Sequence, residues 1–307
     1  MRLISGGHVN SERRDSPRAS SGLRSEDVLT RPARGPDQVL RYGDGADHVA
    51  DLYLPPTDAL HGAASGGKGP FILFFHGGFW RAQYDRAHAR PLAQALAAAG
   101  FVVCSAEYRR PGAAIAPSSG WPSTFDDVAV AVDRLPALVA EAAGGLVAPA
   151  RPVLAGHSAG GHLALWAASR HRLPDGSPWR AQAPPGRAAV GLAAVSELAE
   201  CYRLGLGRQA AGALMGGGPD RLADRYGAAD PIGLLPTGVR VRLVHGTADD
   251  TVPVSMSLDY ARRARAVGDD AVCLELPGAG HFDVIDPLSA AWETVVGAFY
   301  GAAGEVA

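Results

Sequence analysis

The sequence contains little cysteine. Its three cysteines, Cys104, Cys201 and Cys273, stand far apart in a chain of 307 residues. An odd number at such spacing is not a disulfide framework, and no Cys-x-x-Cys pair or Cys/His cluster indicates a zinc site. Cys104 and Cys273 lie inside apolar runs, so we expect buried free thiols at both positions.

The sequence also lacks an excess of charge and a long apolar run. It has 29 Lys and Arg against 31 Asp and Glu, a net charge of −2, which does not favour nucleic acid or an anionic membrane as a partner. No apolar run is long enough to span a bilayer, and the N-terminal segment has no stretch typical of a secretory signal. We therefore expect a cytoplasmic protein whose partner is a small molecule. The sequence leaves both a monomer and a homodimer open.

Apolar residues are present in sufficient number for one large domain, since they make up 47% of the chain. Residues 1–25 hold few of them, and we expect a disordered leader there. We expect residues 26–307 to form a single α/β domain, in which residues 197–238 are a small cap-like insertion.

The order of apolar segments predicts a mostly parallel sheet between helices. Residues 37–55 alternate apolar and polar side chains around a Gly/Asp turn, which predicts an antiparallel hairpin at a sheet edge. Six later runs without alternation predict strands that are covered on both faces. These runs cover residues 71–75, 101–108, 152–156, 188–195, 239–246 and 271–277.

The segments between these runs predict helices over residues 90–100, 123–143, 256–268 and 289–301. Ser123 and Asp126 form a capping-box pattern at the start of the second helix. Pro136 is expected to kink or end that helix. Residues 197–238 are too long for a simple loop, and we expect a short helical insertion near the carboxyl ends of the strands, where such sheets bind ligands.

Ser158 lies in the motif LAGHSAGGH, directly after one predicted strand and directly before a helix. A serine on such a tight turn projects outward, and the flanking Gly156 and Gly160 let the backbone turn without a side-chain clash. The start of the helix also favours negative charge on a substrate oxygen. This context predicts that Ser158 is a nucleophile.

The motif FILFFHGGFW places Gly77 and Gly78 after the first long apolar strand. The backbone N–H of one of these glycines, with that of Ala159, can form an oxyanion hole for a tetrahedral intermediate. His76 is expected to hold this loop by hydrogen bonding and not to transfer protons. Three further residues are candidates for the substrate pocket, namely Phe79, Trp80 and His157.

Two later loops supply an acid and a base. Asp249 follows a strand in LVHGTADDTVP, with Asp250 as the alternative acid, and His281 follows the next strand in LPGAGHFDVID. Nucleophile, acid and histidine in this chain order are typical of a catalytic triad on such a sheet. His281 would take the Ser158 proton, and Asp249 would orient the histidine. No cofactor or metal is required by this chemistry.

The remaining histidines are expected to pack or cap, among them His157, His162, His171 and His245.

These motifs resemble the esterase and lipase side of the α/β-hydrolase superfamily, from about residue 28 to the C-terminus. HGGFW resembles the H-G-G-x-W signature of kynurenine formamidases (arylformamidases), while GHSAGGH, HGTADDTVP and PGAGHFD are also similar to feruloyl-esterase-like and hormone-sensitive-lipase-like carboxylesterases. Phe79 stands where the lipase-like branch more often has a third glycine. The resemblance implies an α/β-hydrolase fold of about eight strands and oxyanion donors at Gly77, Gly78 and Ala159.

Three functions are compatible with these residues. The resemblance favours hydrolysis of a small N-formyl aryl amide, with N-formyl-kynurenine as the type substrate. The alternative is a broad carboxylesterase for short acyl or aryl (feruloyl-like) esters, which uses the same residues. A ligand receptor without catalysis is disfavoured because all three triad residues and the glycine loop are present.

Overall fold

The computed structural model describes residues 25–60, 68–112, 120–147 and 151–304. The predicted leader, residues 1–25, lies outside these ranges except for Ser25, which begins a 3-10 turn, Ser25–Thr30. Among the helices in the described ranges, none is long and apolar enough to traverse a bilayer.

Eight strands of the described chain form one sheet, in the spatial order β1-β2-β4-β3-β5-β6-β7-β8. β2 runs antiparallel to β1 and to β4, and the other neighbours are parallel. The predicted edge hairpin and mostly parallel sheet are therefore confirmed. The strands are β1 (Gln38–Arg41), β2 (Val49–Tyr53), β3 (Phe71–Phe75), β4 (Val102–Ala106), β5 (Val153–His157), β6 (Ala188–Leu192), β7 (Arg240–Gly246) and β8 (Ala271–Leu276).

Helices cover both faces of the sheet, as predicted. Their bounds are α1 (Arg90–Ala98), α2 (Ser123–Ala142), α3 (Ala159–Ala168), α4 (Leu198–Arg203), α5 (Leu206–Met215), α6 (Ala223–Ala229), α7 (Val254–Ala266) and α8 (Trp292–Ala303). One apolar cluster contains the buried side chains of α2, α3 and α7, and a second contains those of α1 and α8. The sheet lies between these two clusters.

Strand β3 shows why the central runs lack alternation. Leu73 and Phe75 belong to the first apolar cluster, whereas Ile72 and Phe74 belong to the second. Successive side chains of a strand point to opposite faces, so a strand with helices on both faces must be apolar at every position. All five residues of β3 are buried.

Three expectations about local structure need correction. α2 begins at Ser123, but Pro122 occupies the N-cap position and no side chain caps it, because Asp126 instead accepts a hydrogen bond from Trp179 Nε1 at 2.7 Å. Of the two effects expected of Pro136, the end of the helix is wrong, since α2 continues to Ala142 over an apolar face that is buried in the core, while the kink stays a prediction. Cys104 is buried as expected, while Cys273 is only partly buried because β8 is an edge strand.

The predicted insertion is helical. It contains α4, α5 and α6, followed by a 3-10 turn, Pro231–Leu234, that leads towards β7. The start of α5 departs from helical geometry, since Gly207, Arg208 and Gln209 have φ values of 54°, 55° and 63°.

Candidate active site

Ser158 stands on the turn between β5 and α3 with a φ of 54°. This left-handed conformation is rare for a residue with a side chain, and it is typical of nucleophiles on sharp strand-to-helix turns. The turn also needs close backbone approach, since a Cβ on Gly160 would lie 2.0 Å from the carbonyl oxygen of Phe75. The sequence motif therefore has the backbone geometry that it predicted.

Asp249 and His281 are paired, although they lie on different loops. His281 Nδ1 lies 2.7 Å from Asp249 Oδ2, after β8 and β7 respectively. Asp249 Oδ1 accepts the backbone N–H groups of Thr251 at 2.9 Å and Val252 at 2.8 Å. Asp250, the alternative acid, is exposed and accepts a hydrogen bond from the Thr251 hydroxyl at 3.2 Å.

The Asp249 carboxylate is fully buried, and His245 also approaches it, with Nε2 at 3.1 Å from Oδ2. Burial alone would raise the pKa of Asp249, but the hydrogen bonds with His245 and His281 outweigh it and hold the pKa below the ordinary value. The acid is therefore ionised and fixed. His281 Nε2 remains as the ring nitrogen that can receive a proton from Ser158.

The glycine loop after β3 is held by His76, as the sequence predicted. His76 Nδ1 donates to the Gly77 carbonyl at 2.8 Å, and Nε2 lies 2.7 Å from Glu107 Oε1. The Tyr108 ring stacks on His76, and its hydroxyl donates to the His76 carbonyl at 2.7 Å. Burial raises the pKa of Glu107, but His76 and Arg110 outweigh this effect and lower the pKa to about 2.

Both glycines of this loop lie close to the candidate nucleophile, Ser158. A Cβ on Gly77 would lie 3.3 Å from the Ser158 Cβ and 2.7 Å from His157 Nδ1. Gly78 has a φ of 107° and lines the cavity at Ser158. Ala159 is the first residue of α3, so helix geometry leaves its N–H without a partner inside the helix. The three predicted oxyanion donors therefore surround one side of Ser158.

A cavity of about 200 Å³ contains the candidate nucleophile and base. Its lining residues are Glu26, Leu29, Gly78, Phe79, Tyr84, His88, His157, Ser158, Thr251, His281 and Phe282. Two of the three predicted pocket residues, Phe79 and His157, are among them. Phe79 also connects the cavity with the insertion, because a Cβ on Gly207 of α5 would lie 2.6 Å from the Phe79 ring.

Trp80 is not a wall of this cavity, which corrects the third pocket assignment. Its side chain is 1% exposed and packs edge-on against His162, with ring centroids 5.2 Å apart. The reason is the backbone: Gly78, Phe79 and Trp80 all have positive φ values, and this tight turn directs Phe79 and Trp80 to different surroundings. A pattern of neighbouring aromatics carries no information about such a turn.

The other histidines have the structural roles that we expected. His157 Nε2 donates to the His281 carbonyl at 3.0 Å, so it supports the loop of the base as well as lining the cavity. Burial, together with the nearby His281, holds the pKa of His157 well below its ordinary value. His162 Nε2 donates to the Ala229 carbonyl at 2.9 Å, and burial lowers its pKa to about 4. His171 is partly buried in a short 3-10 turn.

Sequence reasoning missed six lining residues of the cavity, namely Glu26, Leu29, Tyr84, His88, Thr251 and Phe282. Thr251 and Phe282 are close in sequence to Asp249 and His281. Tyr84 and His88 follow the HGGFW motif closely, so proximity to the oxyanion loop was a usable signal. Glu26 and Leu29 come from the 3-10 turn at the start of the described chain, where no motif is present. Within the described ranges, no group of three or more His, Cys, Asp or Glu side chains is arranged to hold a metal ion.

The profile of the BD-FAE family matches residues 51–263, which is more than half of the chain. The chain belongs to the BD-FAE family. The name denotes bifunctional feruloyl and acetyl esterases.

Relatives of this BD-FAE chain include esterases. Esterase LipC of Mycobacterium tuberculosis is 30% identical over 268 residues, which cover 80% of this chain and 59% of LipC. The probable isoprenylcysteine alpha-carbonyl methylesterase ICME of rice (Oryza sativa subsp. japonica) is 29% identical over 273 residues, which cover 82% of this chain and 60% of ICME. The chain thus spans about three fifths of the length of these relatives.

Solved structures establish the fold of the BD-FAE chain. A truncated carbohydrate esterase from gut microbiota superposes with a TM-score of 0.69 at 19% identity, covering 89% of this chain and 100% of the other. Esterase 2 of Thermogutta terrifontis gives 0.65 at 22% identity, with 93% and 99% covered. The fold is the α/β-hydrolase fold. Of the predicted triad, Ser158 and Asp249 lie inside the BD-FAE match, and His281 lies beyond it.

Proposed function

We propose that this BD-FAE chain is a serine carboxylesterase that hydrolyses acetyl and other short acyl or aryl esters. One observation supports the proposal above all. Ser158 and His281 line the same small cavity. His281 Nδ1 lies 2.7 Å from Oδ2 of the buried, ionised Asp249, which leaves Nε2 for the proton of Ser158. This is the arrangement that nucleophilic acyl transfer requires.

The reaction has two halves. Ser158 Oγ attacks the ester carbonyl carbon while His281 Nε2 takes the hydroxyl proton, and the carbonyl oxygen becomes negative beside the N–H groups of Gly78 and Ala159. Collapse expels the alcohol, which receives the proton from His281, and leaves an acyl group on Ser158. Water then attacks this acyl group with His281 as base, which releases the carboxylic acid and restores Ser158.

The size of the cavity favours a small acyl group. Sites for drug-sized ligands measure roughly 300–1,000 Å³, and the cavity at Ser158 measures about 200 Å³. Phe79, Tyr84 and Phe282 give it an aromatic lining, which suits an acetyl, butyryl or compact aryl group. A structure of Thermogutta terrifontis esterase 2, which shares the fold, has butyrate bound.

The comparisons support ester hydrolysis over formamide hydrolysis. HGGFW resembles the formamidase signature, but the matching family and the similar proteins reported above carry esterase names. The catalytic groups do not separate the two reactions, because both need only a polarised carbonyl and a leaving group. The preference therefore has to be measured on substrates.

The test compares kcat/KM for p-nitrophenyl acetate, ethyl ferulate and N-formyl-L-kynurenine. We expect about 10⁴ M⁻¹ s⁻¹ or more on the acetate, within the ordinary range for enzymes, and at least about a hundredfold less on the formamide, since one misplaced polar contact can cost that much. Ser158→Ala should reduce all rates to background, whereas the exposed Ser255→Ala should not. A higher kcat/KM on the formamide than on the esters would make the chain a formamidase. No activity on any of the three substrates would favour the receptor hypothesis.

A further inference from the structure

One wall of the catalytic cavity comes from the N-terminal 3-10 turn, Ser25–Thr30. Glu26 and Leu29 of this turn line the cavity together with Ser158 and His281. The turn precedes residue 51, where the BD-FAE match begins. A part of the substrate site therefore lies outside the segment that defines the family.

This wall is attached to the domain by an apolar and an ionic contact. Val28 is 1% exposed and belongs to the same apolar cluster as Val284 and Ile285. Arg31 pairs with the buried Asp286, and its Nη2 donates to Oδ2 at 2.8 Å. The partners of Val28 and Arg31 in these contacts, Val284, Ile285 and Asp286, lie just after His281 in sequence. The turn is therefore fixed to the loop of the candidate base.

Leu29 faces two spaces. It lines the catalytic cavity of about 200 Å³, and it also lines a neighbouring groove of about 550 Å³. Tyr84 and His88 are shared by the two spaces in the same way. Leu29, Tyr84 and His88 thus separate the catalytic cavity from the larger surface groove. Of these three, only Leu29 belongs to the N-terminal turn.

We propose that the turn Ser25–Thr30 determines which esters the site accepts, with Leu29 limiting their size and Glu26 disfavouring a negative charge. Among the described residues that line the cavity, Glu26 is the only acidic one. An ester with a carboxylate near its reacting carbonyl is repelled by it, while a neutral ester is not. This inference depends on the proposed esterase activity.

The size limit is tested with Leu29→Ala and Leu29→Phe. p-Nitrophenyl acetate, butyrate and octanoate vary the acyl side, and ethyl and hexyl acetate vary the alcohol side. One methylene that fits or fails to fit an apolar pocket changes kcat/KM by roughly 10- to 200-fold. We expect Leu29→Ala to raise the long-to-short ratio at least about tenfold in one of the two series, and Leu29→Phe to lower the ratio in that series.

The matched control is Leu258→Ala on the solvent side of α7, where a leucine is 36% exposed; its ratios should equal those of the wild type. Unchanged ratios in both series for Leu29→Ala, or the same direction of change for Ala and Phe, would overturn the size limit. The acetate rate of the wild type reports the esterase activity itself, so failure of the proposed function is seen separately.

The charge limit is tested with mono-p-nitrophenyl succinate, which is anionic, against neutral p-nitrophenyl butyrate. Glu26→Gln should raise the anionic-to-neutral ratio of kcat/KM about fivefold at low ionic strength, and the gain should shrink at 0.5 M salt because exposed charges are screened. Glu141→Gln, at an exposed position of α2, should leave the ratio unchanged. An unchanged ratio in Glu26→Gln would show that Glu26 has no part in selection.

A different observation carries a second inference, which concerns His245 behind the triad. His245 is fully buried at the end of β7, with Nε2 at 2.9 Å from the Val252 carbonyl and 3.1 Å from Asp249 Oδ2. Both of these atoms are acceptors, so Nε2 carries a proton. Nδ1 then accepts a hydrogen bond from the Ser257 hydroxyl at 2.7 Å. The geometry points to His245 as a positioning residue for Asp249.

As a consequence, the negative charge of the Asp249 carboxylate is shared among several N–H donors. Oδ2 faces two ring N–H groups, those of His281 and His245, while Oδ1 faces two backbone N–H groups. Removal of the His245 donor leaves more of the carboxylate charge for His281, which stabilises the protonated imidazole. The acidic limb of the pH profile of kcat/KM therefore reports on His245.

The test compares His245→Phe with His245→Gln, which keeps a side-chain N–H donor, using p-nitrophenyl acetate from pH 5 to 9. We expect His245→Phe to lower the plateau kcat/KM at least about tenfold and to move the acidic midpoint to higher pH, and His245→Gln to restore both in part. His171→Phe, away from the cavity, should leave the midpoint unchanged. A lower plateau with an unmoved midpoint in His245→Phe, or no rescue by Gln, would reduce His245 to a packing residue.

Discussion

At the scale of single residues, burial and hydrogen-bond partners distinguish the residues of the site from their neighbours in sequence. Asp249 and Asp250 are neighbours in sequence, but the Asp249 carboxylate is buried against His281, and Asp250 is exposed beside the Thr251 hydroxyl. The sequence does not distinguish the two, because both are aspartates in the same loop. Asp249 is distinguished by its contacts: the backbone N–H groups of Thr251 and Val252 bind Oδ1, and the rings of His245 and His281 approach Oδ2.

Asp249→Asn should therefore lower kcat by about 10⁴-fold, because an amide holds the histidine in the wrong tautomer. Asp250→Asn should change kcat less than about twofold, since an exposed loop carboxylate contributes little. Initial rates on p-nitrophenyl acetate at pH 8 measure both. The reverse ranking would transfer the role to Asp250.

The proximity of Ser158, Asp249 and His281 could be predicted because chain order and strand-to-loop position are visible in the sequence. The pocket could be predicted only in part. Phe79 and Trp80 are indistinguishable as neighbouring aromatics, and the positive φ values that bury Trp80 are set by packing. Leu29 reaches the cavity from a 3-10 turn of six residues, and so short an element leaves no periodicity by which its buried side could be recognised.

At the scale of elements, α3 is the most constrained helix at the site. All ten of its residues are buried, and its first turn crosses the end of β3 with no room for a side chain at Gly160. α8 offers the opposite case, since a Cβ on Gly297 would meet no atom within 4 Å. The same substitution should therefore have opposite effects on the two helices.

Gly160→Ala should lower the free energy of unfolding by more than about 3 kcal/mol, because the backbone must shift to relieve the overlap. Gly297→Ala should raise it by about 0.5–1 kcal/mol, as is usual for glycine in a helix interior. Urea unfolding followed by circular dichroism measures both values. Equal effects would mean that the turn at Ser158 is not as close as described.

Elements could be predicted where one physical signal dominates. The bounds of β3 coincide with the apolar run because both faces of the strand are buried. The capping box at Ser123 is wrong because Asp126 binds Trp179, a partner distant in sequence. The path of α2 through Pro136 depends on the burial of its apolar face, which a local helix-breaking rule does not include.

At the scale of the whole molecule, buried neutral histidines make the fold sensitive to acid. Burial lowers the pKa of His162 to about 4, and burial together with His76 lowers that of His88 to about 4. In the unfolded chain a histidine titrates near about 6.5. Between these values the unfolded chain binds more protons than the folded one, so stability falls as the pH falls.

We expect the free energy of unfolding to decrease between pH 6.5 and pH 4, with about 3 kcal/mol of the decrease due to His162. His162→Gln keeps a donor for the Ala229 carbonyl and removes the titration, so its stability should depend less on pH in this window. Urea unfolding at half-unit steps of pH measures the slopes. Equal slopes for the two proteins would show that His162 is not protonated on unfolding.

The ion pair between Arg31 and Asp286 has a consequence for how the proposed substrate site can change in evolution. It attaches the turn Ser25–Thr30 to the chain segment that follows the candidate base, so we expect a substitution that displaces this turn to displace His281 as well. Selectivity and rate are then mechanically linked. A related protein that changes its substrate preference through substitutions in this turn would then also need compensating changes that keep His281 in place.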